Sequence, residues 1–403
     1  MFKPELILPG GDLERVKIAF QYGADAVYVG LNKYSLRKTE VRFDLPEIDE
    51  AINYAHSRSK RLFVTFNVFA HNKDLKNLAA DMRKVASFKP DAFIIADPGI
   101  VALAKRIAPD IPIHLSTQAN TVNIEGVKYW QAQGVKRIVL ARELTLEEIK
   151  EIHQAIPEME LEIFVHGSMC ISYSGRCLLS HYMAGRSANN GDCAQPCRWN
   201  YNIYLEEKMR PGEYYAIEES TDGTNIMGSK DLRLVRYLPE IIEAGVAGLK
   251  IEGRNKSEYY LATTACAYRK ALDLMAAAKY TDKIKEELEK ELEKLSFRDY
   301  TTGFIFGDAK MGETSKNRSL RKTWEYIGLL INDKGEIVVK NKIKVGDIIE
   351  ILAPSGVHQE RVIDILSMNK EKLHEINPGK ENQRARIVLS KLYPANSILR
   401  KKL

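Results

Sequence analysis

The sequence predicts an α/β protein: a (β/α)8 barrel of the TIM type with a cysteine-rich insertion between its seventh and eighth strands, followed by a small C-terminal β-barrel. Three observations predict it. Over the first 307 residues, eight short apolar, β-branched runs alternate with helical patterns; the gap before the last of them is much longer than the others; and from Glu325 onward strand-like runs succeed one another with only turns between. An open doubly wound sheet is the competing arrangement of the same alternation.

The eight runs are "ELILPGG" from residue 5, "AVYVG" from 26, "LFVTFN" from 62, "AFIIAD" from 92, "IHLSTQ" from 113, "RIVLARE" from 137, "LEIFVHG" from 161 and "GLKIEGR" from 248. Near-continuous apolar runs suit a parallel sheet covered by helices. Between them, segments such as "DLERVKIAFQYG" and "TLEEIKEIHQAIP" carry apolar residues at i, i+3, i+4 spacing and end near Gly or Pro, as crossover helices do. The first seven runs start 21 to 36 residues apart, the seventh and eighth 87 apart. The extra length, about 166–230, holds the cysteines, then an expected hairpin between Asn200 and Gly228, then an expected helix from Asp231 to Ala244. Loops after the strands lie on the catalytic face of such barrels, so the insertion is placed over the mouth. "SEYYLATTACAYRKALDLMAAA" reads as a closing helix, on which Cys266 is a small buried hydrophobe, and "DKIKEELEKELEKL" as a charged surface helix. Residues 308–324 read as a basic linker, and 325–403 as the C-terminal β-barrel, its runs "YIGLLI", "EIVVK", "DIIEIL", "RVIDIL" and "ARIVLSKL" separated by Gly-containing turns.

The hydrophobic share of 45% and charged share of 28% are those of a soluble globular chain. No apolar run approaches the roughly 20 residues of a membrane span, and "MFKPELILPGG" lacks the layout of a signal peptide, so a cytoplasmic protein is expected. The net charge of +6 is uneven: from Asp308 onward 19 Lys and Arg face 12 Asp and Glu, whereas the first 307 residues carry 41 against 42. A basic C-terminal part suggests a polyanionic partner; a solvated lysine-rich surface is the plainer reading.

Four of the five cysteines, Cys170, Cys177, Cys193 and Cys197, fall in one stretch with 6, 15 and 3 residues between neighbours. Disulfides are disfavoured in a reducing compartment. Structural zinc uses tight pairs, which only Cys193 and Cys197 supply. A cuboidal iron-sulfur cluster tolerates looser spacing, and Gly167, Gly175, Gly185 and Gly191 allow a chain to wrap closely round an inorganic core. On spacing alone, iron-sulfur, zinc and free cysteines all stay open.

"EIFVHGSMCISYSGRCLLS", "GRSANNGDCAQPCR" and "GLKIEGRNKSEYY" resemble the signatures of the collagenase-like family long catalogued as peptidases of unknown catalytic type. The likeness runs from the first strand to about Gly307, and the C-terminal part matches the longer members. The resemblance implies the (β/α)8 fold and a 4Fe-4S cluster on Cys170, Cys177, Cys193 and Cys197. In size and layout it points to the members that hydroxylate tRNA wobble uridine to 5-hydroxyuridine without molecular oxygen, with prephenate as hydroxyl donor. It therefore also implies tRNA and a small dicarboxylate as partners; a second copy of the chain or a partner protein remains compatible with the sequence.

If the strand phases hold, Asn67, Asp97, Gln118, Asn120, Arg142, Glu143, His166, Glu252 and Arg254 converge at the strand ends. A dicarboxylate suits guanidinium forks, so Arg142 and Arg254 are expected to bind it, with Gln118, Asn120 and Asn67 as polar support. His166, Glu143 and Glu252 are the candidate proton-transfer groups; the structural alternatives are an orienting hydrogen bond from His166 and ion pairing of the glutamates with the arginines. Lys340, Lys342, Lys344, Arg384 and Arg386 can line a phosphate-binding face, and Tyr201, Tyr204, Tyr214 and Tyr215 can stack on an extruded base or simply pack the hairpin. Two other functions compete. A collagenase-like peptidase is one, although none of the eight histidines lies in an HExxH-type motif. A non-catalytic RNA-binding or assembly factor with a structural cluster is the other.

Overall fold

A computed structural model of the chain describes residues 3–31, 33–34, 43–169, 177–186, 188, 193–196, 199, 203–206, 211, 214–217, 230–307, 321–379 and 383–403. They divide into two compact units, one of Met1–Val16, Asp25–Asn255 and Arg298–Leu320, the other of Lys17–Ala24, Lys256–Phe297 and Arg321–Leu403.

The first unit is built on strands β1 (Glu5–Pro9), β2 (Ala26–Gly30), β3 (Arg61–Phe66), β4 (Ala92–Ile95), β5 (Ile113–Leu115), β6 (Arg137–Val139) and β7 (Glu160–Ser168). There follow β8 (Ile203–Glu206), β9 (Tyr214–Ile217), β10 (Asp231–Arg233) and β11 (Val246–Ile251). β1 to β7 pair in sequence order, all parallel, and β11 bonds to both β7 and β1. That double pairing closes an eight-stranded parallel barrel and rules out the open sheet. All eight barrel strands fall on the apolar runs read from the sequence. Ile7, Tyr28, Phe63 and Ile94 belong to one interior cluster within the barrel.

The helices are α1 (Leu13–Gln21), α2 (Leu45–His56), α3 (Leu75–Ser87), α4 (Pro98–Ile107), α5 (Ile124–Ala132), α6 (Leu146–Ala155), α7 (Leu179–Ala184), α8 (Leu238–Glu243), α9 (Glu258–Ala276) and α10 (Asp282–Leu292). Their starts are written locally. Asp44 with Glu47, and Thr145 with Glu148, form capping boxes on α2 and α6, satisfying backbone donors that a helix start leaves unpaired. β8 and β9 pair antiparallel, as the hairpin expected between Asn200 and Gly228.

One element departs from the sequence reading. Asp231–Arg233, expected to begin a helix, is strand β10, antiparallel to the end of β7; the helix starts only at Leu238. β7 is nine residues long, against three to six for its barrel neighbours, and its end would otherwise present an unpaired edge. β10 supplies the missing partner. Asp231 fixes it there, accepting from the Arg298 backbone amide at 3.0 Å and its guanidinium at 3.0 Å, and Arg298 also donates to Ser168 Oγ at 3.2 Å. β12 (Tyr300–Thr301) then pairs with β10.

The second unit contains α9, α10 and β13 (Trp324–Leu330), β14 (Glu336–Val339), β15 (Ile343–Lys344), β16 (Ile348–Ala353), β17 (Gly356–Arg361), β18 (Asp364–Leu366), β19 (Lys372–Leu373), β20 (Glu375–Ile376), β21 (Arg384–Val388) and β22 (Ile398–Lys402). Eight of these strands form one antiparallel sheet in the order β17-β16-β22-β13-β14-β21-β18-β19, with β15 and β20 as a separate pair. The C-terminal β-barrel is thus an antiparallel half-barrel, curled round a core that includes Ile327, Ile337, Ile351, Ile365, Ile387 and Leu399. Arg400 lies in this unit with its side chain 0% exposed, between Glu350 at 2.7 Å and Glu291 at 2.6 Å.

Candidate active site

A pocket of about 580 Å3, open to solvent, lies at the C-terminal ends of the barrel strands. Five of the residues singled out in the sequence line it: Asn67, Gln118, Arg142, Glu252 and Arg254. The fold explains why. Asn67 directly follows β3, Gln118 lies in the single 3-10 turn after β5, Arg142 is three residues past β6, and Glu252 and Arg254 follow β11. Each strand end thus delivers its next polar residue to the same opening. Tyr28, Thr65, Ser116, Thr117, Phe164 and Lys250 complete the polar and aromatic part of the wall.

Arg254 is nearly buried and donates to Thr65 Oγ1 at 3.3 Å, its guanidinium carbon lying 5.7 Å from the Tyr28 ring centre. Arg142 donates to the Ser168 carbonyl at 3.1 Å, which ties the pocket wall to the end of the strand that leads into the cysteine segment. Its Nε, and Gln118 Oε1, find no hydrogen-bond partner among the described residues although both atoms are buried. Buried polar atoms of that kind are normally satisfied, so they mark where a bound molecule can be held.

Four residues do not join this set. Asp97 caps α4, accepting from Gly99 at 2.7 Å and Ile100 at 3.1 Å, a structural role. Asn120 takes a left-handed conformation (φ 54°) at the end of the 3-10 turn. Glu143 lies beyond the pocket lining, and His166 is 2% exposed within the β7–β11 pairing, its carbonyl accepting from Glu252 N at 2.9 Å.

Sequence reasoning missed the charge network under the pocket. Glu5, Arg61, Arg137 and Glu160 are the first residues of β1, β3, β6 and β7, so the barrel brings them together at its N-terminal end. Glu5 accepts from Arg61 and from Arg137, each at 2.6 Å; Arg137 reaches Glu160 at 2.7 Å and Glu162 at 3.3 Å. Glu162 then accepts from Lys250 Nζ at 2.6 Å. The ladder therefore climbs from the barrel base to the pocket, through side chains that are 2% (Arg137), 0% (Glu162) and 5% (Lys250) exposed. Gly248 makes room for it, because a Cβ there would lie 3.0 Å from Glu162 Cγ. Burial alone would raise the Glu162 pKa, but Lys250 and Arg137 outweigh it and hold the carboxyl below its ordinary range. Burial first, with Arg137 and Arg254 adding to it, pushes the Lys250 ammonium below its ordinary range against the opposing pull of Glu162. The signal was present: Lys250 is a lone charge in an apolar strand, two residues before Glu252 on the same alternating face.

Of the four expected cluster ligands, Cys170 and Cys197 lie outside the described residues, as does Tyr201; Tyr204, Tyr214 and Tyr215 are described in backbone only. Cys177 and Cys193 are half-buried and form no disulfide. Cys177 stands two residues before α7, and Ser180 Oγ on that helix accepts from Ala194 N at 2.9 Å, so the segment after Cys193 folds back onto the helix that follows Cys177. Among the described residues no three His, Cys, Asp or Glu side chains gather as a metal-holding group.

On the C-terminal half-barrel, Arg384 and Arg386 alternate with buried Ala385 and Ile387 on β21 and share the exposed face. Lys342 pairs with Glu375 at 2.7 Å, Lys344 lies 4.0 Å from the same carboxylate, and Arg384 is 3.5 Å from Glu336. Lys340 is half-buried. Such exposed pairs are weak and exchange readily for bonds to phosphate.

The sequence matches Peptidase family U32 over residues 11–315 and the Peptidase family U32 C-terminal domain over residues 322–400. It is 42% identical to the tRNA hydroxylation protein P of Escherichia coli (strain K12), covering 88% of this chain and 87% of that one. The 23S rRNA 5-hydroxycytidine C2501 synthase of the same organism is 36% identical over 67% of this chain and 39% of its own length. A collagenase of Porphyromonas gingivalis is 25% identical over 98% of this chain and 97% of its own. Among the described residues, no helix is long and apolar enough to cross a membrane.

Proposed function

We propose that this chain, which belongs to peptidase family U32, is a tRNA hydroxylase that converts wobble uridine to 5-hydroxyuridine with prephenate as hydroxyl donor. The observation that carries the reading is the charge of the mouth pocket. Lys250, Arg142 and Arg254 line it against one carboxylate, Glu252, with Tyr28 and Phe164 as aromatic walls. A pocket with this lining suits a small cyclic dicarboxylate, whose two charges guanidinium and ammonium donors recognise. Relatives sharing 38% to 46% identity bear the name tRNA hydroxylation protein, which supports RNA as the substrate.

Cys170, Cys177, Cys193 and Cys197 would hold a 4Fe-4S cluster, which when bound supplies electron-transfer or Lewis-acid chemistry. The chain's own residues do the rest. Arg142 and Arg254 orient the donor's carboxylates, and Glu252, the carboxylate of the pocket wall, holds or moves a proton beside them. Phe164 and Tyr28 keep water from one side of the bound ring. The basic face with Lys340, Lys342, Lys344, Arg384 and Arg386 binds tRNA phosphates.

The test is a reaction of anaerobically purified protein with unmodified tRNA, with and without prephenate, read by mass spectrometry of the digested nucleosides. Prephenate-dependent 5-hydroxyuridine, lost in Arg254→Ala, is the expected result. No hydroxylated nucleoside, together with cleavage of denatured collagen, would overturn the reading in favour of a peptidase.

A further inference from the structure

Lys250 ends the charge ladder in an unusual position. Its Nζ sits 2.6 Å from Glu162, a carboxylate that also serves Arg137 at 3.3 Å, so one buried negative charge is divided between two cations. Glu162 takes one of the three ammonium donors. On its upper side Lys250 lines the pocket, with its Nζ 4.5 Å from the centre of the Tyr28 ring that Arg254 also faces at 5.7 Å. Three like charges gathered in one pocket repel each other and are costly to desolvate. Glu252 in the lining and Glu162 against Lys250 offset two of them, which leaves the wall net positive.

We propose that Lys250 is a ligand-binding residue of this pocket: its ammonium, fixed on the floor by Glu162, donates to one carboxylate of a dianionic co-substrate whose other carboxylate is held by Arg142 and Arg254. The proposal rests on the reading of the pocket as a co-substrate site, and adds a third anchor and a reason for the ladder beneath it. The ladder sets where the ammonium stands. Arg61, Glu5 and Arg137 hold Glu162 from below, and Glu162 holds Lys250 at the height of Thr65 and Phe164, where a ligand can reach it. A dianion presents a carboxylate to Lys250 and another to the two arginines, whereas a monoanion leaves one of these anchors without an acceptor. Selectivity for two carboxylates over one then follows from the number of anchored groups.

The test uses calorimetric titration of the anaerobically purified holoprotein with prephenate, and with phenylpyruvate as a monocarboxylate of similar size. The wild type is expected to prefer prephenate. Lys250→Met is expected to bind prephenate roughly ten- to a hundredfold more weakly, the usual effect of losing one charge-assisted hydrogen bond, and to lose most of the preference. Lys250→Gln keeps a hydrogen bond to Glu162 without the charge, and gives the same readout if the Met variant does not fold. Wild-type binding with both variants within twofold of it would overturn the role of Lys250 and leave the pocket assignment standing. Failure of the wild type itself to bind prephenate would overturn both.

Discussion

His114 lies at the centre of β5, 4% exposed, its ring edge-on to Phe63 with centroids 4.7 Å apart and its Nδ1 without a hydrogen-bond partner among the described residues. Burial first, and then Arg137, Lys250 and Arg61, push its pKa well below the ordinary value. The imidazole therefore stays neutral in the folded protein, and with it the charge balance under the pocket. In the unfolded chain it titrates near pH 6.5. Below that value the unfolded state binds about one more proton than the folded state, so stability falls by about 1.4 kcal/mol per pH unit, and by roughly 2 kcal/mol between neutral pH and pH 5. The stability is present above the unfolded pKa and is lost as pH drops. Glu162, whose folded pKa is depressed, adds its own loss only below its unfolded value near pH 4.3, outside this window. Urea unfolding followed by far-UV ellipticity at pH 7.5, 6.5, 5.8 and 5.0, on the wild type and His114→Leu, isolates the contribution. The wild type should lose about 2 kcal/mol more than the variant across the series. Parallel curves would refute the reasoning, since they would mean that His114 takes up a proton without cost inside the barrel.

Cys193→Ala should drop iron and acid-labile sulfide from about four each per chain to near zero, with loss of the visible absorption band, as determined on anaerobically purified protein; stoichiometric zinc in the wild type would defeat the cluster. Charge reversal of Lys340, Lys342 and Lys344 should weaken tRNA binding and flatten its salt dependence by about one logarithmic unit for each phosphate no longer neutralised, measured by filter binding from low to high salt. Arg400→Met should destabilise the C-terminal unit by about 3–5 kcal/mol in denaturant titrations, because among the described residues it leaves Glu291 and Glu350 to share the one cation Lys294, at 2.9 and 2.7 Å. Gly245→Ala should cost about 2–4 kcal/mol and lower the Tm by several degrees; Gly245 has φ +88°, and a Cβ there would lie 2.1 Å from His153 Cδ2.

The barrel was legible because its strands are buried on both faces and so read as unbroken apolar runs, and because α2 and α6 carry their capping boxes in the sequence. β10 was not, since "DLRLVRYLPEIIEAG" has helical spacing throughout and only the overlong β7 demands a strand there. At the site, residues just past strand ends were readable from position alone, as Asn67, Gln118, Arg142, Glu252 and Arg254 show. Asp97 occupies the same kind of position but serves its own helix, a use that the Pro-Gly following it signals. The ladder was hidden for a different reason. Four strands open on a charge, Glu5, Arg61, Arg137 and Glu160, yet each is unremarkable in its own segment, and only ring closure turns them into partners.

The charge of the pocket also bears on the choice between hydrolysing peptides and holding a small anion. Peptide hydrolysis by side chains alone needs a base within reach of a nucleophile. The hydroxyls in the lining belong to Tyr28, Thr65, Ser116 and Thr117, and none of the described histidines lines the pocket with them. His114 is sealed into the barrel and kept neutral by burial and by cations, and His166 is enclosed at 2% exposure between β7 and its neighbours. A scissile amide is neutral and gains little from three cations. A carboxylate gains from each, and the cost of assembling them is met by buried carboxylates beneath them, Glu162 and Glu5, that no exposed substrate requires. The positive mouth of the barrel thus supports the proposed anion site over peptide hydrolysis.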